Sequence, residues 1–172
     1  MTNLDVRTKR HSMAIKRAVQ HATIVVERSL RATPARVFAA WADPGERRQW
    51  DVPGDGGWVV TEQEHDFRVG GRERSRFGPA GDPAYLSDGI YLDIVPDERI
   101  ITAGTMHDRD ARATATLCTV EIYPEGSGTR LVLTDQSAFY GLEVEADRQA
   151  GWTEIVDRLV AYLERASRAT EG

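Results

Sequence analysis

Cysteine is nearly absent. Cys118 stands alone in 172 residues, so no internal disulfide is available to the chain. That suits a reducing compartment, and a cytoplasmic location is expected. No apolar run approaches the roughly 20 residues that span a bilayer, so no membrane partner is expected. The N-terminus lacks the apolar stretch of a secretory signal. The loop 51–57 is rich in glycine but lacks the Gly-Lys-Ser/Thr ending of a phosphate loop, which argues against a nucleotide. His11, His21 and His65 have no metal-ligand spacing with Cys118 or with one another, so no metal is expected. Nothing calls for another cofactor either. Low-complexity stretches, sequence repeats and a linker to a second domain are also missing.

The formal charge is −5 and is unevenly spread. Residues 1–21 hold Arg7, Lys9, Arg10, Lys16 and Arg17 against Asp5, so this arm is basic and the remaining chain acidic. An acidic body argues against a nucleic-acid partner. The arm 1–21 is expected to be a flexible extension, and residues 22–168 a single domain. Hydrophobic residues at 41% and charged residues at 28% fit one globular core.

What the chain does have is a strong C-terminal helix signal. In 144–165, Trp152, Ile155, Val156, Leu159, Tyr162 and Leu163 recur at the period of about 3.6 residues and share one face. Such a stripe needs a sheet or other helices to lie against. The preceding chain supplies strands: 22–31, 58–67, 71–77, 84–95, 99–107, 112–123 and 129–136, most of them separated by hairpin turns. After the first strand, Thr33-Pro34 and Asp43-Pro44 each open a short helix, with a capping side chain followed by proline in the first turn. The expected class is α+β: a curved antiparallel sheet of about seven strands around one long helix.

Four landmarks in this order resemble a known family. They are Ala32-Thr33-Pro34 through Trp41 to Asp43-Pro44, with Trp50 following; Asp66-Phe67-Arg68-Val69-Gly70-Gly71; Gly128-Thr129-Arg130-Leu131-Val132-Leu133-Thr134; and Gly151-Trp152 entering the last helix. Over 22–166 the chain resembles the activator of heat-shock-protein-90 ATPase homologue family, within the START-like (SRPBCC) superfamily of helix-grip folds. Two positions depart from the family pattern. Val69 stands where members often have proline, and Asp135 where they often have histidine. The resemblance implies a cavity between sheet and C-terminal helix that holds a small hydrophobic molecule of lipid, polyketide or aromatic type. It also implies a stress-response setting, a chaperone partner as an alternative role, and a homodimer as a common assembly.

Strand alternation and helix spacing nominate the groups facing that cavity. Arg72, Arg74 and Arg76 share one face. Turned inward, Arg74 or Arg76 would pair with a ligand carboxylate or enolate; turned outward, they form a solvated stripe, which the cost of burying unpaired arginine favours. Asp135 shares a face with Leu131 and Leu133 and would answer such an arginine. Tyr85, Tyr91 and Phe139 offer apolar bodies, the tyrosines with one hydrogen bond each. Phe67, Cys118, Trp152, Ile155, Val156 and Leu159 complete the expected lining. Cys118 reads as a buried thiol, and Trp152 also fits the helix-to-sheet core. A polyketide cyclase or aromatase is the enzymatic alternative. Arg74, Tyr91, His107 and Asp135 would then polarise a carbonyl and move protons, which requires them to converge on one open space.

Overall fold

The computed structural model describes residues 19–53 and 56–170. The arm 1–21 therefore lies almost wholly outside the described residues. Strand β1, Gln20–Leu30, begins two residues before the expected domain start. Helices α1, Pro34–Ala42, and α2, Pro44–Arg47, follow it. Their starts obey the sequence signals. Thr33 Oγ1 accepts from the Arg36 amide at 3.4 Å, and Asp43 Oδ1 accepts from the Glu46 amide at 2.8 Å. Six more strands follow: β2, Trp58–His65; β3, Arg72–Pro79; β4, Tyr85–Val95; β5, Arg99–Asp108; β6, Ala111–Glu125; and β7, Gly128–Phe139. Helix α3, Glu145–Thr170, ends the described chain. Among the described residues, no helix is long and apolar enough to cross a membrane.

All seven strands form one antiparallel sheet in the order β1-β7-β6-β5-β4-β3-β2. Hairpins place β2 to β7 side by side, and β1 closes against β7 along its whole length. This is the helix-grip arrangement expected from the landmarks. Its curvature has a local cause. Gly89 and Gly104 face each other across β4 and β5. A Cβ on Gly104 would meet Asp88 O at 2.7 Å and Gly89 Cα at 2.8 Å, so the two backbones approach only because both side chains are missing.

The concave face carries the core. Ile24 and Val26 of β1, Ile100 of β5, Val120 and Ile122 of β6, and Leu131 and Leu133 of β7 are all buried. Helix α3 lays Val156, Leu159 and Leu163 onto them, with Trp152, Ile155 and Tyr162 half-buried at the margins. Full burial of each such aliphatic side chain contributes about 1.5–3 kcal/mol. Trp41 and Trp50 seal the end under α1 and α2, their rings 4.9 Å apart, and Trp50 Nε1 donates to Ala40 O.

In β4 the bulge between Tyr91 and Asp93 resets the alternation. Tyr91 is fully buried, whereas Ile90 and Leu92 stand outside at 44% exposure. Beyond the bulge Ile94 packs against the core, so of the sequence-predicted row Ile90, Leu92 and Ile94 only the first two face solvent.

Candidate functional site

Sheet and helix do not close completely. A cavity of about 500 Å3 lies between them, within the usual range of a small-molecule site. Every second residue of β3 and β4 faces it, Glu73, Ser75 and Phe77 from β3 and Tyr85, Ser87 and Gly89 from β4, while β5 contributes the run from Thr102 to Met106. Thr116, Cys118 and Val120 of β6 form the floor, and Gly151, Trp152 and Ile155 of α3 the roof.

Two polar clusters stand at opposite ends. Under α2, the Arg47 side chain is buried and lies over the Trp41 and Trp50 rings, 5.1 and 5.4 Å from their centroids. Arg47 Nη2 pairs with Glu73 at 2.8 Å and Nε with Asp51 at 3.5 Å, while Nη1 is buried without a hydrogen-bond partner among the described residues. Burial pulls the guanidinium pKa down, but the Glu73 and Asp51 carboxylates outweigh it and hold the charge. Behind this cluster, His65 Nε2 bonds the Ala42 carbonyl at 2.9 Å and so must donate. In the neutral ring Nδ1 is then the acceptor for the Tyr91 hydroxyl, also at 2.9 Å. Burial, and secondarily Arg47, depress the His65 pKa, which favours that neutral ring. Burial pushes the Tyr91 hydroxyl up, Glu73 adds to it and Arg47 opposes.

The other cluster ties α3 to the sheet. Trp152 Nε1 donates to Asp135 Oδ2 at 2.6 Å, and Ser137 Oγ donates to Asp135 Oδ1. Thr116 Oγ1 lies 2.7 Å from Ser137 Oγ. Arg148 bonds Glu143 through Nε and Nη2, donates to Thr114 Oγ1 at 2.7 Å, and brings Nη1 within 3.5 Å of Asp135. Cys118 pairs in register with Asp135. Burial, reinforced by the Asp135 charge, raises its thiol pKa, the opposite of what a thiolate nucleophile needs.

Of the residues nominated from sequence, Tyr85, Cys118, Trp152 and Ile155 line the cavity. Val156, Leu159 and Phe139 are buried in the core instead, because the sheet closes onto α3 past the cavity. Phe67 is packed edge-on against Phe38 and Tyr91. Tyr91 faces inward, yet its hydroxyl is taken by His65. Asp135 is fully buried beneath Trp152 rather than open to the cavity. Arg74 and Arg76 lie on the outer face. Arg74 bonds Asp88 and Arg76 bonds Glu62, since alternation that turns Glu73, Ser75 and Phe77 inward sends the arginines out. His107 bonds Thr105. None of Arg74, Tyr91, His107 and Asp135 lines the cavity, so the acid-base set of the enzymatic alternative does not converge.

Sequence reasoning missed Glu73, Phe77, Trp58, Arg47 and Arg148. The first two were available as the complement of an outward arginine stripe. Arg148 lies one turn before Trp152 and two before Ile155 on the inward side of α3. Arg47 sits in a four-residue helix, too short to show a period.

The family model of Activator of Hsp90 ATPase homolog 1-like proteins matches residues 31–164. No curated protein matches the chain. Among solved structures, the Mll3558 protein from Rhizobium loti is 41% identical with a TM-score of 0.77, over 84% of this chain and 99% of that one. A protein from Rhizobium leguminosarum is 39% identical with a TM-score of 0.77, over 86% and 97%. The CV1439 protein from Chromobacterium violaceum is 30% identical with a TM-score of 0.70, over 81% and 95%.

Proposed function

The chain belongs to the family of Activator of Hsp90 ATPase homolog 1-like proteins, and on that footing we propose that it binds a small hydrophobic molecule between sheet and helix. The cavity of about 500 Å3 carries this proposal. A space of this size, lined mainly by apolar side chains with a few polar groups, has the form of a small-molecule site. Apolar burial supplies the affinity, at about 25 cal/mol per Å2 before the cost of ordering the guest. Binding without chemistry fits the residues best: the cavity thiol is held protonated, and the four acid-base candidates point to different places. The protein works in the cytoplasm, where its one cysteine stays reduced.

Native mass spectrometry of freshly purified protein, followed by solvent extraction, tests the proposal. A retained adduct of small-molecule mass that is lost on extraction is the expected result. Protein that carries no adduct and takes up no hydrophobic fluorophore overturns it.

A further inference from the structure

One end of the cavity differs chemically from its walls. Trp58, Phe77 and Tyr85 make a continuous aromatic face there. The Trp58 and Tyr85 rings lie 5.8 Å apart and 7° from parallel, and Phe77 lies 5.9 Å from Tyr85. Tyr85 is the direct cross-strand partner of Asp108, which sets a carboxylate at the edge of this face. Asp147, in the first turn of α3, is exposed and has no ion pair among the described residues.

Acid outweighs base here. Asp108 has Arg109 as a partner, but Arg109 also holds Asp82, so those three leave one negative charge. Arg148 is engaged by both Glu143 and Asp135. At the far end Arg47 is likewise outnumbered, by Glu73 and Asp51. Carboxylates thus outnumber guanidiniums at both ends and disfavour an anionic guest, the unpartnered Nη1 of Arg47 being the one open cationic donor described among the lining residues. A cation is attracted twice, by the carboxylates and by the negative faces of the aromatic rings. At about 500 Å3 the space falls within the range of sites for drug-sized ligands and suits one ring system.

We propose that the cavity selects a flat aromatic guest bearing a protonated amine over the same ring bearing a carboxylate. The ring lies against Trp58 and Tyr85, and the amine sits between Asp108 and Asp147. The proposal rests on the ligand-binding function and adds the charge and shape of the guest.

Three probes of one shape test it: naphthylmethylamine, naphthylmethanol and naphthalene carboxylate, titrated into the full chain at neutral pH and low salt, with calorimetry as the readout. The amine is expected to bind about tenfold or more tighter than the carboxylate, with the alcohol between them. In the Asp108→Asn, Asp147→Asn double variant the amine should lose that advantage while the alcohol binds as before. Carboxylate binding equal to or tighter than amine binding overturns the charge selection and leaves the cavity function standing. An amine advantage unchanged in the double variant overturns the placement of the charge. Failure of all three probes to bind overturns the aromatic guest, while the ligand-binding function stands or falls with the adduct and fluorophore test above.

Discussion

Asp135 is a buried carboxylate at the centre of a network that spans three elements. Trp152 Nε1 and Arg148 reach it from α3, Ser137 from its own strand, and Thr116 reaches Ser137 from β6. Removing it leaves a buried guanidinium and an indole N–H short of their acceptor. Asp135→Ala is expected to cost about 3–5 kcal/mol in urea unfolding, and Asp135→Asn less. His65 gives a second prediction at this scale. Its folded pKa lies below the ordinary value of 6.5, because of burial first and Arg47 second, with Glu73 and Asp51 opposing. The neutral ring therefore stabilises the fold fully above about pH 6.5, and that contribution is lost as pH falls through the lowered folded value. Urea midpoints measured from pH 7.5 down to 5.5 should fall, and should fall less steeply in His65→Gln. The inward direction of Asp135 was legible from Leu131 and Leu133, four and two residues before it. Its hydrogen bonds were not, since they depend on how α3 is rotated over β7.

At the scale of elements, the Gly89–Gly104 contact sets the bend of β4 against β5 and so the depth of the cavity. Gly104→Val places branched carbon against fixed backbone rather than against a side chain that can turn away. A loss of about 1–3 kcal/mol is expected, with weaker uptake of a hydrophobic probe. The hairpin meander and both short helices were legible, because hairpin glycines and caps followed by proline act locally, whereas the pairing of β1 with β7 is not local. The inward face of β4 was less legible. Its bulge at Tyr91 interrupts the period of two, and a bulge answers to the neighbouring strand rather than to its own residues.

For the whole molecule, folding and occupancy are linked. A guest that binds only the folded state at 100 times its Kd adds about 2.7 kcal/mol to the unfolding free energy. Ser87→Trp fills the cavity from β4. It is expected to fold while losing that guest-induced rise in thermal midpoint, which differential scanning fluorimetry reads directly. The helix-grip architecture was legible because its landmarks occur in fixed order over most of the chain. The chemistry within was not: which carboxylates look inward depends on register, and the basic stripe of β3, conspicuous in the sequence, turned out to decorate the outside.

The first turns of α3 are bolted to β6 and β7 through Arg148, Trp152 and the buried acid beneath them. A helix fastened in this way cannot serve as a door. The connecting segment 140–144 is anchored as well, Tyr140 through its amide to Ala113 O and Glu143 through Arg148, although Leu142 and Val144 stand more than half exposed at 56% and 54%. On the proposed function, a guest would then enter and leave with the first turns of α3 still in place.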